Sequence, residues 1–338
     1  MPFDLYPPQS SDGRRHLLSV TDLDRTAIER ILETAHGFES VMQRDVKKVP
    51  TLRGRTVMNI FFESSTRTSS SFELAAKRLS ADTMSLKASG SSVDKGESLK
   101  DTVTTLSAYD PDVIVIRHPR IGAPRIITAY TEAHVVNAGD GKHQHPTQCL
   151  LDLYTIKRSL GKIEGLHVAI VGDVLHSRVA RSNIQGLLML GARVTVIGPP
   201  PLIPRGITAM GVEISHDITD IATADVVYVL RMQRERMQEG ANYVPSLTEY
   251  TARWGVTAGR VRPGQLVMHP GPMNRGVEID SAVADGPGSA IIDQVRSGLV
   301  VRMAVLYDLL KGPTHSPAES ALRIVEDAVL TPEEQEVA

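Results

Sequence analysis

The residues equipped for chemistry stand at the ends of short apolar runs. After "VMNIFF" comes "ESSTRTSSSFE", residues 63–73, where Ser65, Thr66, Arg67 and Thr68 gather hydroxyls and a guanidinium at the handover from a strand to a helix. Such a junction exposes unpaired backbone N–H groups at the positive end of the helix dipole, so the added donors would enclose an anion, phosphate above all. A plain N-cap with spare serines is the competing reading, since Ser and Thr open helices in any protein. Further along, "VIVI" ends in Arg117 and His118, and "VVNAG" runs into "DGKHQHPTQ" with His145 and Gln148. "AIVGD" leads to Arg178 at a helix start, "VVYVL" ends in Arg231 with Gln233 beyond, and "QLVMHP" leads into Gly271 and Pro272. One arginine at a strand end is usually a solvated charge. Four of them, Arg67, Arg117, Arg178 and Arg231, read together as a cleft for polyanionic small molecules, because the planar guanidinium fork matches phosphate and carboxylate.

Rival chemistries fail on spacing. "GDGKHQ" follows a strand but lacks the remaining glycine of G-x-G-x-x-G, and "VGDVLHSRVARS" offers one glycine where a dinucleotide site wants three. No G-x-x-x-x-G-K-[ST] occurs, which removes the nucleotide phosphate loop. In "KHQHP", His143 and His145 have no thiolate or carboxylate at ligand spacing, so a loop histidine bonding substrate is the more economical reading and no metal is expected.

Positioning these residues requires strand ends, and the chain supplies them in two sets. "VMNIFF", "DTMSL", "VIVIR" and "VVNAG" alternate with helical patterns such as Phe72, Ala75, Ala76 and Leu79. "HPTQCLLDLYTIKRSLG" predicts one long helix, after which "HVAIVGD", "ARVTVIGP", "VEISHD", "VVYVLR" and "QLVMHP" restart the alternation. Strand–helix alternation of this kind argues for parallel sheets with crossover helices, whose ligands sit outside the carboxyl ends of the strands. Upstream, "TDLDRTAIERILETAHGFESVM" predicts an amphipathic helix through Leu23, Ala27, Ile31 and Ala35. Downstream, "SAIIDQVRSGLVVRMAVLYDLLKG" predicts a long helix that packs back on an earlier element.

At 338 residues the chain suits two domains, each able to bury its own core. Lys plus Arg number 37 and Asp plus Glu 39, a net charge of 37 − 39 = −2, which points to neither a nucleic-acid nor a membrane partner. The single cysteine, Cys149, makes no internal disulfide and lies in the apolar run "CLLDLY", as a buried hydrophobe in a reducing compartment would. "MPFDLYPPQSSDGRRH" lacks a signal-peptide core, and no stretch approaches the ~18 apolar residues of a membrane span, so a soluble cytoplasmic protein is expected.

Taken in order, "SSTRTS", "VIRHP", "NAGDGKHQHPTQ", "GDVLHSRVARS", "LRMQRERM" and "MHPGPMNRG" resemble the aspartate/ornithine carbamoyltransferase family from about His16 to Leu310. Within it the chain is similar to the aspartate branch. The ornithine branch usually carries His-Cys-Leu-Pro where this chain has His269-Pro270-Gly271-Pro272, and an Asp-x-x-x-Ser-Met-Gly loop where it has Arg231-Met232-Gln233. The resemblance implies an α/β fold of two domains, each a parallel sheet flanked by helices, joined by two long interdomain helices. It implies a carbamoyl phosphate-binding domain over 1–148, completed by a C-terminal helix at about 290–312, an aspartate-binding domain over 149–289, and an acidic tail over 313–338.

The same resemblance implies residue roles. Ser65, Thr66, Arg67 and Thr68 would hold phosphate with Arg117; Thr68, Arg117 and His145 would contact the carbonyl oxygen. Gln148 and the backbone near Gly271 and Pro272 would hold the carbamoyl amine, and Arg178, Arg231 and Gln233 the aspartate carboxylates. Ser91 and Lys95 of "ASGSSVDKGESL" would enter from a neighbouring subunit of a homotrimer, Lys95 toward the aspartate, and larger assemblies with regulatory or other pyrimidine-pathway chains are compatible with this. No cofactor is implied. Gly271 and Met273 depart from the His-Pro-Leu-Pro-Arg of some members, with Arg275 nearby as a substitute, and Ser69 stands where some carry Arg or Lys. The chemistry agrees with these roles: fixed donors aimed at the carbonyl oxygen, a phosphate leaving group that takes up the proton itself, and two charged substrates brought together by domain closure. A related transferase for another amine and a silent scaffold member are the alternatives; the first is disfavoured by Arg231 and Gln233, the second by the complete set of contacts.

Overall fold

The computed structural model describes residues 16–87, 96–233, 244 and 246–311. Among these the chain forms two compact units, one holding residues up to Gly141 and again from Gly298, the other holding Lys142–Ser297. Each is built on a parallel sheet flanked by helices, as expected.

The first unit contains β1 (Thr56–Phe61), β2 (Asp82–Lys87), β3 (Val113–His118) and β4 (His134–Asp140), with α1 (Arg25–Met42), α2 (Thr66–Arg78), α3 (Leu99–Ser107) and α4 (Ala123–Ile127). Its strand order is β2-β1-β3-β4. Val113 to Ile116 are wholly buried, the continuous apolar run of a parallel strand covered on both faces. Met58, Ile60, Ile114, Ile116 and Val135 fill one face together with Val103 of α3 and Ile127 of α4. On α2, Phe72, Ala75 and Ala76 are buried at the predicted helical spacing. The stripe on α1 differs from expectation. Asp24 caps the helix by accepting the Ala27 N–H at 2.7 Å, so Leu23 precedes it, and the buried face is Ile28, Ile31, Leu32, Ala35 and Phe38.

The second unit contains β5 (His167–Val171), β6 (Arg193–Ile197), β7 (Glu213–Ser215), β8 (Val226–Val229) and β9 (Leu266–Met268), in the order β7-β6-β5-β8-β9. Around it lie α5 (Pro146–Leu160), α6 (Arg178–Met189), α7 (Leu247–Trp254), α8 (Ser281–Ala284) and the start of α9 (Ile291–Lys311). Ala169, Val171, Val227, Val229 and Val267 form its core with Ile218, Val256 and Ile279. Cys149 is buried, as its apolar neighbours suggested.

The seam falls between Gly141 and Lys142 rather than at 148, because His145 donates its N–H to Ser182 Oγ of α6 at 2.9 Å and Gln148 bonds Asp152 within α5. The chain therefore crosses once in the loop before α5 and once within α9. Beyond Gly298, α9 is part of the first unit: Arg302 donates to Ser71 Oγ at 2.6 Å and lies over the Phe72 ring, and Asp308 pairs with Arg30 at 3.0 Å.

In both sheets the strand order reverses at one place. The chain leaves β1 toward β2 and β3 toward β4 on opposite sides, and likewise leaves β5 toward β6 and β8 toward β9. Loops that diverge in this way open a crevice at the carboxyl ends of the two central strands. All four arginines of the sequence census follow or end one of these four central strands: Arg67 after β1, Arg117 in β3, Arg178 after β5 and Arg231 after β8.

Candidate active site

In the first unit the two central loops meet. Ser65 is the N-cap residue of α2, yet its side chain makes no capping bond; instead its Oγ accepts from Arg117 Nη1 at 3.3 Å. That disfavours the plain-cap reading, since the hydroxyl is spent on a cation rather than on the helix. Arg117 is held a second time by Glu63, whose Oε2 accepts from Nε at 3.2 Å. Thr68 is buried in the first turn, while Thr66 and Arg67 are exposed. The opening of α2 thus carries Arg67 and three hydroxyls in its cap and first turn, with Arg117 bonded to the cap residue, an arrangement suited to a multiply charged anion.

Beside it, His118 does not add a cation to the site. Its Nδ1 accepts the Arg120 N–H at 2.9 Å and its ring packs on Phe62, 4.7 Å between centroids. Burial, and then the charge of Arg120, lower its pKa, so this histidine is a neutral turn-former.

In the second unit the loops after β5 and β8 also meet. Asp173, wholly buried, bonds His176 Nδ1 at 2.9 Å through one oxygen and accepts the Gln233 N–H at 3.1 Å through the other. Gln233 and Arg231 are thereby held beside the loop that leads to Arg178, the buried first residue of α6, whose cap Ser177 accepts the Ala180 N–H. Two arginines and a glutamine at one crossover suit a small dicarboxylate.

His145 and Gln148 belong to this second unit, at the buried start of α5. The Ser182 hydroxyl that receives the His145 N–H donates to Gln144 Oε1 at 2.5 Å, and Gln144 donates to Gln185 at 2.8 Å, so the loop before α5 is tied to α6. Gly271 and Pro272 lie in a turn organised by His269, whose Nδ1 accepts the Gly271 N–H at 2.8 Å and whose Nε2 meets Glu278 Oε1 at 3.2 Å. Gly271 has φ of +63°, a conformation that favours glycine over any residue with a Cβ. Arg275 is committed elsewhere: it is exposed and forms a two-pronged pair with Asp285 at 2.6 and 2.7 Å. Ser91 and Lys95 lie outside the described residues.

Sequence reasoning assigned no role to Glu63, Asp152 or Asp173. Each stood inside a quoted motif, and Asp152 lies four residues after Gln148 on one helix face, a spacing that brings side chains together. Among the described residues no group of three or more His, Cys, Asp or Glu is placed to hold a metal ion, and no helix is long and apolar enough to cross a membrane.

Residues 15–158 match the profile of the aspartate/ornithine carbamoyltransferase, carbamoyl-P binding domain, and residues 164–309 that of the Asp/Orn binding domain. The chain is 55% identical over 305 residues to the aspartate carbamoyltransferase catalytic subunit of Salinispora arenicola, covering 88% of this chain and 98% of that one. It is 52% identical over 324 residues to the corresponding subunit of Magnetococcus marinus, covering 93% and 98%. Among solved structures, aspartate transcarbamoylase from Trypanosoma cruzi in complex with carbamoyl phosphate and aspartate superposes with a TM-score of 0.79 at 32% identity, covering 86% of this chain and 95% of that one. The catalytic subunit of the M. jannaschii aspartate transcarbamoylase gives 0.78 at 35% identity, covering 89% and 99%. The chain belongs to the aspartate/ornithine carbamoyltransferase family.

Proposed function

We propose that this member of the family transfers the carbamoyl group of carbamoyl phosphate to the amine of L-aspartate, giving N-carbamoyl-L-aspartate and phosphate. The observation that carries the reading is the Arg117–Ser65 contact at the crossover of the first sheet, where the helix opening at Ser65 has no side-chain cap of its own. It is supported by the names of the relatives and by the substrates bound in the T. cruzi enzyme.

In this reading Ser65, Thr66, Arg67, Thr68 and Arg117 hold the phosphate. The aspartate nitrogen bonds to the carbonyl carbon, the bond from that carbon to the phosphate oxygen breaks, and the electron pair leaves with phosphate. Negative charge builds on the carbonyl oxygen as the bond forms, and Thr68, Arg117 and His145 act as donors to it, each such donor contributing roughly a hundredfold to a thousandfold. His145 works as a donor, and the proton released by the amine passes to phosphate. Gln148 and the Gly271–Pro272 backbone receive the carbamoyl NH2, and Arg178, Arg231 and Gln233 orient the aspartate carboxylates, the last through the hold of Asp173 on its backbone.

The site is completed in this proposal by Ser91 and Lys95 of a neighbouring chain in a homotrimer, in the cytoplasm, at an early step of de novo pyrimidine synthesis. The test is a carbamoyl-transfer assay with aspartate and ornithine in parallel, with the native mass measured on the same preparation. Carbamoylation of aspartate alone by a particle of three chains is expected. Turnover of ornithine in place of aspartate would overturn the assignment of Arg231 and Gln233.

A further inference from the structure

Asp152 lies in the interior of the second unit, on α5, and is 1% exposed. Its Oδ1 accepts from Gln148 Nε2 at 3.0 Å and from Gln294 Nε2 at 2.7 Å; its Oδ2 accepts from Asn183 Nδ2 at 2.9 Å and from the Tyr228 hydroxyl at 2.6 Å. A carboxylate only accepts, so an amide that reaches it must present its NH2 and turn its oxygen away. Gln294 gives an independent check on that polarity. Its Oε1 accepts the backbone N–H of His269 at 2.9 Å, a group that can only donate. Asp152 therefore sets the direction of two amides, and both lead to the carbamoyl end of the site: one is Gln148, the other braces the turn that carries Gly271 and Pro272.

The NH2 of carbamoyl phosphate is a donor and needs acceptors around it. A glutamine can face it with either end, and only one end suits. We infer that Asp152 is a positioning residue: by accepting the Nε2–H of Gln148 it holds that amide with its oxygen outward, as an acceptor for the NH2 of carbamoyl phosphate. The inference rests on the reading of Gln148 given above. A buried carboxylate is an expensive way to brace a core, and burial raises the Asp152 pKa to about 6 despite the four donors. Its worth here is that an acceptor-only group leaves Gln148 a single orientation.

The probe is phosphonoacetamide, which keeps the NH2 and replaces the bridging oxygen by CH2, compared with phosphonoacetate, which puts an oxygen where the NH2 was. The readout is the ratio of their inhibition constants, with orthophosphate as a control for the phosphate end. Asp152→Ala is expected to lower the preference for the amide by about tenfold or more while orthophosphate affinity stays within about twofold, since a pocket built to hydrogen-bond a group discriminates against its replacement. Asp152→Asn is expected to restore most of it, to within about threefold, because its carbonyl can serve Gln148 and Gln294 while its amide faces the Tyr228 hydroxyl and, once the Asn183 amide turns over, Asn183 Oδ1, which has no hydrogen-bond partner among the described residues. In a Gln148→Ala background, adding Asp152→Ala should change the ratio by less than about twofold, the signature of one residue acting through another. Asp152→Ser, which keeps one oxygen, replaces the alanine variant if that one does not fold and should lose at least about threefold.

The two readings fail separately. An unchanged ratio in Gln148→Ala overturns the assignment of Gln148 to the carbamoyl amine. A lowered ratio in Gln148→Ala beside an unchanged one in Asp152→Ala overturns the positioning role alone, as does an equal loss of orthophosphate affinity.

Discussion

Burying Asp152 as a carboxylate should leave a measurable mark on stability, separate from any effect on turnover. Its pKa rises from 3.8 to about 6, desolvation outweighing the hydrogen bonds from Tyr228, Asn183, Gln294 and Gln148. Between those two values the folded chain holds the proton more of the time than the unfolded chain, so stability falls as pH rises through the window and is flat above it. The full difference, 6 − 3.8 = 2.2 at about 1.36 kcal/mol per pH unit, is about 3 kcal/mol, of which about 2 kcal/mol falls between about pH 4.5 and 7.5. Its titratable neighbours Cys149 and Tyr228 are both pushed further up, by burial first and then by the charge of Asp152, so neither titrates in that range. Other carboxylates change stability with pH in both proteins, so the quantity to measure is the difference between the native chain and Asp152→Asn. The one tryptophan, Trp254, lies in α7 of the same unit, and its fluorescence during urea unfolding reports the relevant transition. The native chain should gain about 2 kcal/mol on the variant when pH is lowered from about 7.5 to 4.5. A difference that stays constant with pH would mean that Asp152 titrates alike in the folded and unfolded chain, and the account of its burial would be wrong.

Arg67→Ala should lower kcat/KM by at least about a hundredfold with the melting temperature nearly unchanged, because Arg67 is exposed and carries no core packing; near-native turnover would remove the phosphate cradle. Arg231→Ala should raise the KM for aspartate by about tenfold or more and leave that for carbamoyl phosphate within about threefold, whereas equal rises in both would place Arg231 at the wrong substrate. Arg275→Ala should change neither KM by more than about twofold, since its guanidinium is engaged by Asp285 at the surface; a selective loss of carbamoyl phosphate affinity would show that it substitutes for the arginine missing at Met273. Arg67→Ala and Lys95→Ala chains, mixed, dissociated and reassembled, should recover a substantial share of activity in isolated hybrids. Hybrids no more active than their parents would refute a site shared between neighbours.

Most of the frame was legible because parallel strands announce themselves. "VIVI" and "HVAIV" are buried on both faces, so they carry no polar alternation, and the residues after them stand at the carboxyl ends of the strands, where ligands of parallel sheets bind. Arg67 and Arg117 follow or end the central strands of the first sheet, and Arg178 and Arg231 follow those of the second, so each pair was readable from strand ends alone. The stripe on α1 was misjudged for a local reason: Asp24 captures the Ala27 N–H and starts the helix later than the apolar count assumed. His118 stands beside Arg117 at the same strand end, and composition does not reveal that its ring folds back onto its own turn.

What the sequence could not supply was polarity. Gln148 is the same letter whether its oxygen or its nitrogen turns outward, and the choice is made by Asp152, which accepts its Nε2–H; Gln294, held by the His269 N–H, shows the same polarity at Asp152 from a distant part of the chain. A guanidinium needs no such help, since every outward face of it donates. Glu63 and Asp173 show the other half of the rule. Each aims a neighbour, Arg117 by its Nε and Gln233 by its backbone N–H, yet an acidic residue in a motif rich in cations and hydroxyls looks out of place until the donor it restrains is seen. Acceptors placed behind the donors are what turn a collection of cations into a directed site, and they are found by following hydrogen bonds inward from the arginines and glutamines.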